Sequence, residues 1–339
     1  MEPTVFEVNV IIDGIRMLYR LELNLFQVIR EHLVAYPKGR PQVWFEREWN
    51  PKKMEYIWSK STPHFRYDDA LRDAVRRNAS FLSTAAQLNH ALATKVWNWF
   101  SSEFLFLNLA SEEPDWRHSL GFVRTVKGRE IFERAMSAAD LGITGVGVKP
   151  TTHLVFKRMK DAGIHFDKTP INAYGNAWLK AMEEPPLENE DAEPYLKHRG
   201  ERGEIYDLDL ALGESSGTRR YFSLLGYWLL KLAKGGLLVV DEIEASLHPM
   251  LVNELLKTFL QHENVKTPAQ LIFTTHNPLL LDQTLLRRDQ IWFTEKDQEG
   301  ATRLYPLTDF KPRKDESLVK GYLAGRYGGI PFIPEGLML

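Results

Sequence analysis

The sequence predicts an α/β protein made of an antiparallel β lobe, a mainly helical middle and a C-terminal lobe built on a parallel sheet. Three observations carry this reading. Two β-rich runs, TVFEVNVII and IRMLYRLELN, flank Asp13-Gly14, the strongest short-range hairpin signal a sequence offers. From about Tyr67 to Leu109 there are few breakers, and apolar residues recur at helical spacing. The short apolar runs at Leu237–Val240 and from Leu271 do not alternate, and each ends in polar residues just before a helix start. The first of these reads as a strand buried on both faces, as in a parallel sheet.

In order, the hairpin is followed by a third strand near Glu31–Tyr36, ended by Pro37-Lys38-Gly39-Arg40, and a fourth at Gln42–Glu46. Residues 1–60 are therefore read as the antiparallel portion. Residues 61–182 are read as a helical, arm-like region, with Leu71, Val75, Phe81, Leu82 and Leu88 on its apolar side. Arg72, Arg76 and Arg77 form a basic face there, which suits a solvated helix better than a nucleic-acid contact. Trp97, Trp99 and Phe100 are assigned to the core, and a second helical block is placed at Lys127–Asp140. Residues 183–194, EEPPLENEDAEP, are acidic and proline-rich and read as a linker, leaving 195–339 as the C-terminal lobe.

Bulk properties narrow the functional classes. The 339 residues are 44% hydrophobic and 26% charged, as in ordinary soluble proteins. A net charge of -2 gives no global attraction to nucleic acid. The absence of cysteine excludes disulfides and thiolate metal sites and fits a reducing compartment. The N-terminus lacks the basic segment and cleavage site of a signal peptide. The longest apolar stretch, Tyr221–Leu230, is roughly half a membrane span. A cytoplasmic protein without a membrane partner is expected.

Gly142 to Gly147 has the glycine spacing of a phosphate loop, but Val148 precedes the lysine and Pro150 follows Lys149. Proline removes an N–H where a phosphate cradle needs donors, so this segment is assigned to a loop. No other window matches G-x-x-x-x-G-K-[ST]. Asp207 and Asp209 share one face of a strand and read as its solvated side; a metal-dependent nuclease would need a larger cluster.

Three segments carry chemistry. Glu214-Ser215-Ser216-Gly217-Thr218 precedes a helix whose stripe is Tyr221, Leu225, Trp228 and Leu232. Free N–H groups at a helix start attract anions, although Ser and Thr are also ordinary caps there. Asp241 and Glu242 end the strand 237–240, where one acid suits a metal ion and the other water, or both form an acidic turn. Ser246 and His248-Pro249 then open a helix with Val252, Leu255, Leu256 and Phe259 inward. His276-Asn277-Pro278 ends the next strand, with Pro278 at a first helical turn.

ESSGT, LLVVDEIEASLHP and IFTTHNP, in this order, resemble the signature motif, Walker B with D-loop, and switch histidine of ABC-type ATPases. The chain is most similar to AAA-type ATPases of the RecF, Rad50 and OLD kind, and more narrowly to bacterial abortive-infection (RloA-like) phage-defence ATPases. EPTVFEV, NASFLSTAAQLN and GYLAGRYGGIPFI extend that likeness over most of the chain. The resemblance implies an ABC-ATPase-like fold of the P-loop NTPase superfamily, with ATP and Mg²⁺ as cofactors. It implies that Asp241 holds Mg²⁺ and that Glu242 polarises the attacking water. His276 would sense the γ-phosphate. Ser215, Ser216, Gly217 and Thr218 would meet nucleotide on the opposite subunit of a dimer, and Ser246 in the D-loop would couple the two sites. Nucleic acid and a nuclease-like effector are the partners it suggests. The family places Walker A ahead of the EPTVFEV region, so this polypeptide is expected to lack it and to bind ATP poorly. The alternative is a non-catalytic remnant or scaffold subunit.

Overall fold

The computed structural model describes residues 2–111, 115–139, 142–151, 155, 159–161, 191–260, 268–313 and 315–330. They divide into two compact units, Met1–Leu105 and Phe106–Leu339.

The first unit is a five-stranded antiparallel meander, β1 Thr4–Ile12, β2 Ile15–Leu23, β3 Val28–Tyr36, β4 Gln42–Asn50 and β5 Glu55–Trp58. The Asp13-Gly14 hairpin forms as expected, with Ile12 opposite Ile15 and φ of 51° and 74° at the two turn residues, as a primed turn demands. Phe45, Phe65 and Phe81 are fully buried beneath the sheet with ring centroids 4.9–5.8 Å apart.

The long helical reading of 67–109 needs correction. The segment breaks into α1 Asp69–Asp73, α2 Phe81–Gln87, α3 Ala91–Asn98, a π turn Trp99–Glu103 and a strand, β6 Phe104–Asn108. The breaks are chemical. Ser80 caps α2 through Ser83 N, His90 caps α3 through Ala93 N, and Asn89 between them is left-handed at φ 62°. Ser and Asn favour caps and turns because their side chains compete for backbone groups. Trp99 is core, but Trp97 is exposed. Arg72 lies over Tyr67 and Arg77 over Trp49.

In the second unit, β6 joins β10 Gly236–Asp241 and β11 Ala269–Phe273 in a sheet of order β11-β10-β6. β10 and β11 are parallel, Leu238 opposite Leu271 and Val240 opposite Phe273. A second sheet, antiparallel, has the order β7 Ile143–Pro150, β8 Ala192–Arg199, β9 Ile205–Asp209. The glycine-rich segment at 142–147 is therefore strand rather than loop. Gly147 faces Tyr195, whose ring would lie 2.2 Å from an added Cβ, so its glycines serve strand packing. Part of the expected linker is also strand, since 192–194 lie in β8; residues 183–190, and 162–182 of the expected helical arm, lie outside the described residues.

The helices of this unit are α4 Arg117–Val123, α5 Val126–Ala138, the single turn α6 Leu210–Gly213, α7 Ser216–Lys234, α8 Pro249–Leu260 and α9 Leu318–Leu323. The expected stripe of α7, Tyr221, Leu225, Trp228 and Leu232, is buried, but so are Phe222, Leu224 and Gly226. α4 covers that further side: Ser119 Oγ donates to Phe222 O at 2.8 Å, and Gly226 leaves no room for a Cβ against Ser119. Trp228 Nε1 donates to Leu255 O of α8 at 2.9 Å, so a buried indole keeps its partner. β12 Trp292–Lys296 and β13 Thr302–Pro306 form a hairpin whose side chains pack with α9 around Tyr327. No helix among the described residues is long and apolar enough to cross a membrane.

Candidate functional site

β10 delivers Asp241 and Glu242 at its C-terminal end, and Thr274, just after β11, organises both. Thr274 N donates to Val240 O at 3.0 Å and Thr274 O accepts from Ile243 N at 3.1 Å. Its hydroxyl donates to Asp241 Oδ1 at 2.6 Å and accepts from Glu242 N at 2.8 Å. A parallel sheet ends its neighbouring strands on the same side, which is why residues 33 positions apart meet here. A carboxylate has about four acceptor positions, so Asp241 retains capacity for a cation after this bond.

Glu242 is a left-handed residue, φ 54°. That conformation is unfavourable for a side chain with a Cβ and concentrates at functional turns. It puts the Glu242 carboxylate 3.4 Å from His276 Nε2, with the two side chains 39% and 84% exposed. The sharp turn after the strand is tied down by Glu244, whose Oε1 accepts from His276 N at 2.5 Å; Glu244 Oε2 and Asn277 Nδ2 are buried without hydrogen-bond partners. Asn277 Oδ1 caps the short 3-10 turn Pro278–Leu280, with proline at its first position as expected.

The 214–218 run starts α7. Ser215 is the N-cap: its Oγ accepts from Thr218 N at 3.1 Å and lies 2.9 Å from Thr218 Oγ1. The capping role is therefore real, and it leaves Ser215 and Ser216 exposed and Gly217 half-buried, whereas Thr218, also expected to meet nucleotide, is buried with its N–H spent on the cap. Gly217 lies against the turn that follows β10, where an added Cβ would be 2.7 Å from Ser246 O. Arg220, one turn along, donates from Nη1 to Ala245 O at 2.7 Å and reaches Ser246 Oγ at 3.4 Å. Ser246 is itself left-handed, φ 60°.

The structure thus gathers Asp241, Glu242 and His276 in one cluster and Gly217 with Ser246 in another, the turn 242–247 joining them. Thr274, Glu244 and Arg220 do this work and were not singled out from the sequence. Only the hydroxyl of Thr274, beside His276, offered a local hint. Among the described residues no three His, Cys, Asp or Glu side chains form a metal cage. Mg²⁺ is commonly held by one or two carboxylates together with substrate phosphates and water, a role open to Asp241.

The family described as "AAA domain, putative AbiEii toxin, Type IV TA system" matches residues 1–282. The chain belongs to this AAA family. The match runs from β1 through the Asp241, Glu242 and His276 cluster and ends shortly after the Pro278 turn. No curated protein matches the chain. Membership places it with AAA-type, P-loop-class ATPases, and its α/β fold with a parallel pair β10–β11 accords with that class. ATP and Mg²⁺ are the ligands such ATPases use. The residues present fit them: Asp241 with free acceptor capacity, an exposed Glu242–His276 pair, and a capped helix start with exposed serines.

Proposed function

We propose that this AAA protein carries the signature, Walker B and switch-histidine elements of an ABC-like ATPase of the RecF, Rad50 and OLD kind, nearest the RloA-like phage-defence group. It would work as a dimer, in the cytoplasm, on nucleic acid or with a nuclease-like effector. The observation that carries the reading is the Glu242–His276 pair at 3.4 Å beside a Thr274-braced Asp241. Phosphoryl transfer needs positioning and charge neutralisation more than covalent chemistry. Bound Mg²⁺ would neutralise phosphate charge from Asp241. Glu242 accepts a proton from the attacking water, His276 holds the Glu242 carboxylate in place and reads the terminal phosphate, and Ser215, Ser216 and Gly217 offer N–H and hydroxyl donors to it.

No lysine-bearing phosphate loop occurs in these 339 residues. Among the described residues β11 is the outer strand of its sheet, and its Ile272 is 56% exposed. Such an edge accepts a further strand, and we place the strand that leads into the phosphate loop there. Hydrolysis then requires that segment. With it supplied, Glu242→Gln is expected to lower turnover by about 10²- to 10⁴-fold, the usual worth of a general base, while ATP binding is retained. Unchanged turnover would remove Glu242 from this role, and absence of turnover in the unmutated, completed protein would favour the scaffold reading.

A further inference from the structure

Glu214 opens the 214–218 run but does not face solvent with it. Its side chain is 6% exposed, and its Oε1 lies 2.5 Å from Nε2 of His198, which is 13% exposed. His198 belongs to β8, the middle strand of the second sheet, and lies opposite Ile143 of β7 and Tyr206 of β9. Its ring stacks on Tyr206 with centroids 5.8 Å apart. On the helix side the Glu214 backbone is extended, φ -97° and ψ 154°, and its carbonyl accepts from Arg219 Nη1 at 3.0 Å. The next residue is the Ser215 cap.

A carboxylate this buried stays where its partner is, because leaving either group alone away from water is costly. The residue before an N-cap also sets the angle at which the chain enters the helix, a role often filled by an apolar contact. Here a carboxylate–imidazole hydrogen bond takes that position and ties it to a separate sheet.

We propose that His198 and Glu214 are positioning residues that hold the 215–218 turn in the geometry needed to meet a terminal phosphate. The functional half of this proposal rests on the nucleotide reading above. The pair makes the orientation of Ser215, Ser216 and Gly217 depend on the β7–β8–β9 sheet, so movement of that sheet would be felt at the turn.

Hydrogen exchange of the full chain tests it. His198→Phe, which keeps an aromatic ring against Tyr206 but removes the donor, is expected to raise amide exchange about tenfold at Thr218 and Arg219, whose N–H groups bond Ser215 Oγ and Ser215 O, with Leu224 to Tyr227 in mid-helix unchanged. His198→Gln, which keeps a side-chain N–H, should restore protection. With a phosphate-loop segment supplied, MgATPγS should protect the Ser216 and Gly217 amides in the unmutated chain and not in His198→Phe. Unchanged exchange in both His198→Phe and Glu214→Gln overturns the proposal, as does equal nucleotide protection with and without the imidazole. If MgATPγS protects nothing in the unmutated protein while the exchange difference stands, the nucleotide reading fails and the anchor survives. Should His198→Phe not fold, the exchanged pair His198→Glu with Glu214→His must recover protection at Thr218 and Arg219, and its failure together with His198→Gln counts against the anchor.

Discussion

Glu31 in β3 is fully buried, and four hydrogen bonds converge on its two oxygens. Oε2 accepts from Arg47 Nε at 2.9 Å and Phe81 N at 2.6 Å; Oε1 accepts from Leu82 N at 2.9 Å and the Tyr19 hydroxyl at 3.0 Å; Arg47 Nη2, which donates to Ala79 O, lies 2.8 Å from Oε2. The carboxylate therefore neutralises a fully buried arginine and closes the N-terminus of α2 at once. Glu31→Gln keeps the shape but replaces one acceptor oxygen by an amide that can only donate, facing groups that also donate. It also leaves Arg47 as an uncompensated buried charge, and Arg47 Nη1 already lacks a partner. Breaking such a pair from one side typically costs about 3–5 kcal/mol, a large share of the roughly 5–15 kcal/mol that holds a domain folded. Urea unfolding followed by tryptophan fluorescence measures it. Arg47→Met combined with Glu31→Gln should lose less than the two single changes added together, because the double variant removes the charge as well as its partner. A loss below about 1 kcal/mol for Glu31→Gln would refute the assignment of this pair as the centre of the first unit.

Thr274→Val keeps the β-branched shape and removes both hydroxyl bonds to the Asp241–Glu242 turn; because these bonds are solvent-exposed, thermal melts should show only about 1 kcal/mol of loss. Gly217→Ala drives a Cβ to 2.7 Å from the backbone oxygen of Ser246 and should cost about 1–3 kcal/mol. Gly121→Ala in α4, with nothing within 4 Å of the new Cβ, should be neutral or stabilising by up to about 1 kcal/mol; equal melting temperatures for the two variants would contradict the close approach at Gly217. Burial, with the charge of Glu254 adding to it, pushes the Tyr221 phenol up to about 12. The unfolded chain ionises near pH ~10, so this contribution is complete below that pH and is lost as pH rises toward about 12. Urea midpoints should stay level to about pH 10 and then fall, less steeply in Tyr221→Phe.

Patterns confined to neighbouring residues were legible in the sequence. The Asp13-Gly14 hairpin, the β10 and β11 runs, the Ser215 cap, the Pro278 start and the buried side of α8 all follow from local periodicity and turn chemistry. The same rules failed where partners are remote. Apolar spacing alone suggested one long helical region at 67–109, because caps such as Asn89 and His90 interrupt it with few residues, and β6 is recognised only by its place beside β10. The glycine spacing at 142–147 resembles a loop, whereas in the fold the Tyr195 ring fills the space a side chain at Gly147 would need and Lys197 lies against Gly145. Asp241, Glu242 and His276 could be picked out as strand-end residues. What binds them into one site is Thr274, 33 residues from Asp241, and what orients Glu214 is His198 on another sheet. Local sequence determines which segments can form and where their polar ends lie. Contacts between groups far apart in the chain depend on strand order and packing, and only the tertiary structure decides those.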